Sequence, residues 1–269
     1  LLLVYVPGLG SSVNGARRWI NLGISKFQVV EAVKVLYIVW LSSYLVRFRD
    51  DVNATWPAML KPLGVAIALI FLLLLQPDFG SSALLLAITA GMLVLGGVNL
   101  PRMSMPIVIL LPIFAFVAIL EPYRMRRITS FVDPWKDQLG SGYQLSNALM
   151  AVGRGEWFGV GLGGSVQKLN YLPEAHTDYI FSVVGEEFGL LACMVIAVLF
   201  FAILVRVVIR MLDEQDQFIL LAVTGLAAQF CGQAMINIAV NLGIFPSKGM
   251  TLPFISYGGS STLALCLCC

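Results

Sequence analysis

The stretch Leu172-Pro173-Glu174-Ala175-His176-Thr177-Asp178-Tyr179-Ile180-Phe181 gathers the residue types that move protons, and it holds the single histidine of the chain. Asp178 stands where a long polar loop gives way to an apolar run, a place where a carboxylate can be functional. A helix terminus there would lower its pKa, whereas apolar surroundings would raise it. The residues also allow a plainer reading, in which Thr177 caps the helix and Asp178 is a first-turn acid favoured by the macrodipole. Glu186 and Glu187 follow on the same expected helix. At about 100° per residue, Asp178 and Glu187 point to opposite sides, so the three acids do not form one cluster. Glu186 is the better placed to share a cavity with Asp178, and both glutamates read as buried partners of cations or backbone.

Other polar groups lie inside apolar stretches, where a central charge costs about 2.5–3.5 kcal/mol on insertion scales. Glu31 and Lys34 are three apart, hence on one helix face, and are expected to form a structural ion pair. Gln229, Gln233, Asn237 and Asn241 recur every fourth residue and form one polar ridge. Such a ridge suits interhelical hydrogen bonding or the lining of a wet cavity. Gly159, Gly161, Gly163 and Gly164 suggest a phosphate loop only superficially, since no Gly-Lys-Ser/Thr follows them. Asn53-Ala54-Thr55 is a glycosylation sequon by spelling alone. The five cysteines lie in apolar stretches without histidine partners at zinc-ligand spacing, and read as small hydrophobes. No metal site is expected from spacing.

The elements that must carry these groups follow from composition. Apolar residues make up 59% and charged residues 12% of the 269-residue chain, with a mean hydropathy of +0.88. Such a chain cannot cover its surface with polar groups, so lipid is part of its solvent. The net charge of +2 and the lack of a long basic block speak against a nucleic-acid partner. Segments long enough to cross a bilayer are expected near 28–46, 57–76, 82–98, 103–120, 178–205, 218–243 and 254–269. The fold class is therefore all-α, a polytopic membrane helix bundle forming a single membrane domain over 1–269. The connection 121–177 is long, and Leu145, Ala148, Leu149 and Val152 recur in it at helical spacing, which predicts a short interfacial helix. Both ends stop within apolar runs, which reads as a piece cut inside membrane segments. Arginine and lysine in the short loops place 47–61, 99–105 and 206–217 in the cytoplasm, making 121–177 extracytoplasmic.

Several stretches together resemble the SEDS family (shape, elongation, division, sporulation). They are Gly15-Ala16-Arg17-Arg18-Trp19-Ile20, Gln76-Pro77-Asp78-Phe79-Gly80, Glu121-Pro122-Tyr123-Arg124-Met125-Arg126-Arg127, Gly140-Ser141-Gly142-Tyr143-Gln144, Pro173-Glu174-Ala175-His176-Thr177-Asp178, Gly185-Glu186-Glu187, Pro246-Ser247-Lys248-Gly249 and Ser256-Tyr257-Gly258-Gly259-Ser260-Ser261. Gly-Ala-Arg-Arg-Trp and the Asp133-Pro134-Trp135 region look like the division branch rather than the elongation branch. The chain departs from the family at Gln28-Val29-Val30-Glu31, usually Gln-Pro-Ser-Glu, and at Asp137-Gln138, usually Asp-Pro.

The resemblance implies a peptidoglycan glycosyltransferase with ten membrane helices in the whole protein. Its substrate would be lipid II, an undecaprenyl-diphosphate-linked disaccharide peptide. A sugar hydroxyl displaces the polyprenyl diphosphate at an anomeric carbon, with inversion. The diphosphate is already a good leaving group, so one base and cations to hold it suffice; the match assigns the base to Asp178. Arg17, Arg18, Arg124, Arg126, Arg127, His176 and Lys248 are the candidates for substrate contact, with anchoring at lipid headgroups as the alternative for the arginines. A divalent cation, Mg or Mn, is compatible with this reaction. Partners would be a class B penicillin-binding protein, other division proteins and membrane lipid, in the bacterial inner membrane at the septum. The rival reading is a lipid II flippase or transporter, and a third is a non-catalytic scaffold.

Overall fold

The computed structural model describes residues 1–5, 10–13, 16–21, 26–120, 122–246 and 249–266. It contains α1 (Val29–Arg47), α2 (Arg49–Ala54), α3 (Trp56–Leu75), α4 (Phe79–Leu95), α5 (Leu100–Leu120), α6 (Pro122–Val132), α7 (Tyr143–Gly155), α8 (Ile180–Leu212), α9 (Gln217–Asn241) and α10 (Gly259–Cys266). Among the described residues α1, α3, α8 and α9 are long and apolar enough to cross a bilayer, and α4 and the start of α5 are shorter apolar helices. The protein is a multi-pass helical membrane protein. Val195, Val198 and Phe201 on α8 are exposed, as lipid-facing residues are, since apolar side chains there need no protein cover. The chain forms two compact units, Leu1–Ile109 with Val205–Phe230 and Gly259–Cys269, and Leu110–Leu204 with Cys231–Gly258.

In the first unit, a small antiparallel sheet precedes α1, β1 (Gly10–Val13), β2 (Ala16–Asn21) and β3 (Lys26–Gln28), in the order β1-β2-β3. Three short strands without clean alternation leave a weak pattern. Helix α3 carries Pro62, which has no N–H for the carbonyl of Ala58 one turn back. The Tyr44 hydroxyl of α1 donates to that carbonyl at 2.8 Å, and the Tyr37 hydroxyl lies 3.0 Å from Thr89 Oγ1 of α4. Glu31 and Lys34 are joined at 2.9 Å with both side chains buried. Removing Lys34 alone would take its cation away from the buried Glu31 carboxylate, the costly way to break such a pair. The Asn53 side chain accepts from Asn99 N–H and donates to the Gly97 carbonyl, so its amide nitrogen is already engaged.

In the second unit, Ala148 of α7, Leu172, Ala175, Tyr179, Val183 of α8 and Val240 of α9 form one buried cluster. Helix α7 thus has a core-facing side as well as its amphipathic pattern. Its last residue, Gly155, meets α8 backbone to backbone, because a Cβ there would fall on the Gly185 carbonyl.

Helix α8 departs from the single uninterrupted segment read over 178–205. It is broken at Gly189, whose φ of 76° and ψ of −174° are open to glycine and strained for other residues. An unbroken helix would bond Leu190 N–H to the Glu186 carbonyl and Leu191 N–H to the Glu187 carbonyl. Instead those carbonyls accept from Val160 N–H at 2.9 Å and Gly161 N–H at 3.0 Å. The freed amides of Leu190 and Leu191 donate to the carbonyls of Glu156 and Trp157, at 2.8 and 3.3 Å. Residues 156–161 therefore act as a strap that re-pairs each opened backbone group, as a low-dielectric setting demands. This is what the glycine run does: Gly159 and Gly161 have φ of 79° and 96°, and a Cβ on Gly159 would fall on the Glu187 carbonyl.

That arrangement separates two substitutions of like chemistry. Gly161→Ala meets no atom within 4 Å and carries only the backbone strain of positive φ, about 1–3 kcal/mol. Gly159→Ala adds the steric conflict with α8. Thermal melting in detergent should place Gly159→Ala clearly below Gly161→Ala. Equal melting temperatures would mean that the strap does not lie this close.

Candidate functional site

Asp178 lies in a turn ahead of α8 rather than in its first helical turn, and it is half-buried. The turn is made by Glu174, at φ 58°, whose carbonyl accepts from the N–H groups of Thr177, Asp178 and Tyr179 at 3.1, 3.1 and 3.2 Å. Thr177 does not act as the expected cap. Its hydroxyl turns back to Glu174 Oε2 at 2.7 Å. The Asp178 carboxylate lies against the chain at Gly249, where a Cβ would stand 3.0 Å from Oδ2.

The amide ridge of α9 explains why this turn is held. Gln233 donates to the Thr251 carbonyl at 3.0 Å, and Asn237 to the Met250 carbonyl at 2.6 Å and the Asp178 carbonyl at 2.8 Å. Asn241 donates to the same Asp178 carbonyl at 3.0 Å. All three side chains are buried. Of the two roles open to the ridge, hydrogen bonding is the one these residues fulfil, and its partners are main-chain groups of two irregular segments. Ser256 adds a clasp, accepting from Leu252 N–H at 2.7 Å and donating to the Thr177 carbonyl at 2.5 Å. Tyr257 N–H donates to the carbonyl of His176, and the two rings meet edge-on at 6.3 Å. His176 itself is exposed.

Three other acids of this unit, Glu186, Glu187 and Asp137, are engaged in structure. Glu186, wholly buried, accepts from Arg154 Nη1 at 3.2 Å, Ser165 Oγ at 2.5 Å, Val166 N–H at 3.2 Å and Gln167 N–H at 3.3 Å. Its neighbour Glu187 pairs with Lys168 and accepts from Ser165 N–H. The two carboxylates pin the loop 165–168 and the π-helical turn Gln167–Tyr171 to α8. Asp137 accepts from Ser141 N–H and Oγ–H at 2.9 and 3.0 Å. Those bonds, aided by Gly140 N–H and the charge of Arg126, hold its carboxyl below the usual range. Residues 137–142 are closed into a turn in this way, and Ser130 of α6 reaches it through the Ser141 hydroxyl.

The cationic candidates fall in different places. Arg126 and Arg127 lie on α6 in the same unit as Asp178, with Arg126 exposed. Arg18, on β2 of the other unit, donates to the carbonyls of Gln76 and Pro77 at 2.8 and 2.7 Å. It thereby fixes the turn from α3 into α4, which Asp78 caps through Ser81 N–H. Arg17 and Arg124 lie on β2 and α6, but their side chains are outside the described residues, as is the whole of Lys248. Arg154, Ser165, Gly249 and Ser256 were not singled out as site residues by sequence. Gly249 and Ser256 lie in stretches that carry the family resemblance, while the Glu186-Glu187 doublet and the glycine run were the signals near Arg154 and Ser165.

The chain is similar to known proteins along nearly all of its length. The chain is 62% identical over 272 residues to the probable peptidoglycan glycosyltransferase FtsW of Xanthomonas oryzae pv. oryzae (strain KACC10331 / KXO85), covering 99% of this chain and 56% of that one. A protein of the same description from Hahella chejuensis (strain KCTC 2396) is 47% identical over 271 residues, covering 100% and 68%. The chain thus spans little more than half the length of the Xanthomonas relative. Among solved structures, a chain of "Structural coordination of polymerization and crosslinking by a peptidoglycan synthase complex" is similar with a TM-score of 0.77 and 28% identity, over 98% of this chain and 74% of that one. The cell cycle protein model shared by FtsW, RodA and SpoVE matches residues 1–269, so the chain belongs to that family.

Proposed function

We propose that this chain is the core of a peptidoglycan glycosyltransferase that polymerises lipid II during division, with Asp178 as general base. The observation that carries the reading is the mounting of Asp178: its main chain is fixed by two buried amides, while its side chain stays half-buried beside Gly249. Glu186 and Glu187 are tied into loop anchoring, and neither is placed to serve instead. In the reaction, the attacking sugar hydroxyl forms the new C–O bond at the anomeric carbon. The bond from that carbon to the diphosphate oxygen breaks, and undecaprenyl diphosphate leaves with the electron pair. The hydroxyl proton passes to the Asp178 carboxylate. A positioned base contributes about 10²–10⁴-fold, and cations at the departing diphosphate supply further stabilisation. Arg126, Arg127 and His176 are the described side chains of this unit that we assign to it, with Arg124 and Lys248 as further candidates in the same unit; Arg17 and Arg18 stay candidates for substrate contact on the resemblance alone. Among the described residues no group of three or more His, Cys, Asp or Glu is placed to hold a metal ion. A divalent cation shared between one or two carboxylates and the substrate diphosphate needs no such group and stays compatible with the reaction, while the proton transfer itself uses protein groups.

The names of the relatives support the reaction class, and the synthase complex, whose title joins polymerization with crosslinking, supports a crosslinking partner, for which we propose a class B penicillin-binding protein at the septum of the inner membrane. One observation favours transport of the same lipid instead: α8 is broken, a feature common in transporters. Against it, Gln233, Asn237 and Asn241 of the α9 ridge are engaged by backbone carbonyls of the protein itself. Labelled lipid II incubated with the purified full-length protein and its cognate penicillin-binding protein should yield glycan strands. Transbilayer movement of the label without any polymer would overturn the proposal in favour of a flippase.

A further inference from the structure

The start of α8 is opened at one hydrogen bond and resealed by a side chain from α9. In a continuous helix Ser182 N–H would donate to the Asp178 carbonyl. Here Ser182 N–H turns instead to the Tyr179 carbonyl at 3.1 Å, and Asn241 stands between it and the Asp178 carbonyl. Its Nδ2 donates to the Asp178 carbonyl at 3.0 Å, and its Oδ1 accepts from Ser182 N–H at 3.0 Å and from Ser182 Oγ–H at 2.7 Å. The amide can face only one way, because a backbone N–H only donates, so the atom beside it must be the oxygen. Asn237, one turn earlier on α9, donates to the same carbonyl at 2.8 Å and fills its second lone pair. Asn241 is 0% and Asn237 1% exposed, so bulk water does not compete for these bonds.

We propose that Asn241 is a positioning residue for Asp178. Its side-chain amide, inserted between the Asp178 carbonyl and the Ser182 N–H, holds Asp178 out of the helix with its carboxylate toward the Gly249 segment. Without the amide, the competing state is the ordinary helix: Ser182 N–H closes onto the Asp178 carbonyl and carries Asp178 into helical register. A base rotated away by that step keeps its chemistry and loses its aim. A misplacement of about 1 Å costs on the order of 10²-fold in rate. Asn237 is the second anchor, tying the same carbonyl to the Met250 strand of chain. The inference rests on Asp178 being the base.

The test uses the full-length protein with its penicillin-binding partner and labelled lipid II. Asn241→Leu removes both bonds at similar volume; Asn241→Asp keeps an acceptor for Ser182 and loses the donor toward Asp178. Both should lower kcat by about 10²-fold with KM for lipid II unchanged. Ser182→Ala, which keeps the N–H bond, should stay near the parental rate. Parental kcat in either Asn241 variant, a rise in KM with kcat retained, or a loss that tracks only the folded fraction would overturn the proposal. So would failure of both variants to fold, which would make Asn241 purely structural. Asp178→Asn, assayed in parallel, separates the two levels. If it polymerises at the parental rate, the reading of Asp178 as base fails and takes this inference with it. If Asp178→Asn is inactive while Asn241→Leu is not, only the positioning role fails.

Discussion

Asp178→Asn in the full-length protein should leave folding and lipid II binding intact and lower polymerisation by about 10²-fold or more. Asparagine matches aspartate in size and keeps hydrogen-bonding capacity, but it has no basic oxygen. The main chain at 178 is held through its carbonyl by Asn237 and Asn241, and the side-chain change touches neither bond. Misfolding is therefore not an expected route to inactivity. The measurement is glycan strand formation from labelled lipid II, normalised to folded protein by gel filtration, beside a direct lipid II binding assay. Near-parental polymerisation at normal expression would refute the mechanism and return the transporter to first place.

The largest expected loss of stability is at Glu186. Its carboxylate, wholly buried, is the shared acceptor for Ser165 Oγ, Val166 N–H, Gln167 N–H and Arg154. Glu186→Ala leaves the two backbone donors without a partner in a closed setting, and each such group costs about 1–3 kcal/mol. Ser165 can rotate, and Arg154, with half its side chain exposed, can turn to water. A total of about 2–6 kcal/mol follows from the two amides. Arg154→Ala should be far milder, about 1 kcal/mol, because the carboxylate keeps three donors and the lost pair is partly solvated. Melting temperatures of the two variants in one detergent give the order. An Arg154→Ala defect equal to that of Glu186→Ala would show that the ion pair, not the loop amides, sets the cost.

The membrane spans could be read from the chain because their signal is local: about 20 apolar residues announce themselves without a partner. Helices α1, α3, α8 and α9 fall on segments read in this way. The place of Asp178 at the loop re-entry is local too. What sequence left open depends on partners far along the chain. Asn241 meets Ser182 across 59 positions, and Arg18 meets Gln76 across 58. The ridge on α9 could be recognised as polar, but its two readings differ only in what faces it, and an isolated helix does not carry that. The break at Gly189 was hidden for the opposite reason. Glycine is common in membrane helices and tolerated there, so Gly189 within an apolar run signals little until Gly159 is brought against it.

The strap over Gly189 also bears on how the protein is made. While α8 is entering the bilayer, the bonds from Leu190 to Glu186 and from Leu191 to Glu187 are the only ones its backbone can form locally, so the nascent segment is stable as one straight rod. Opening it requires residues 156–161, which are synthesised earlier and must already stand at the right depth. Breaking the rod is therefore an assembly step that follows insertion. Strap variants such as Gly159→Ala should reach the membrane with normal topology and fail afterwards, as correctly threaded chains whose loop stays open to proteases.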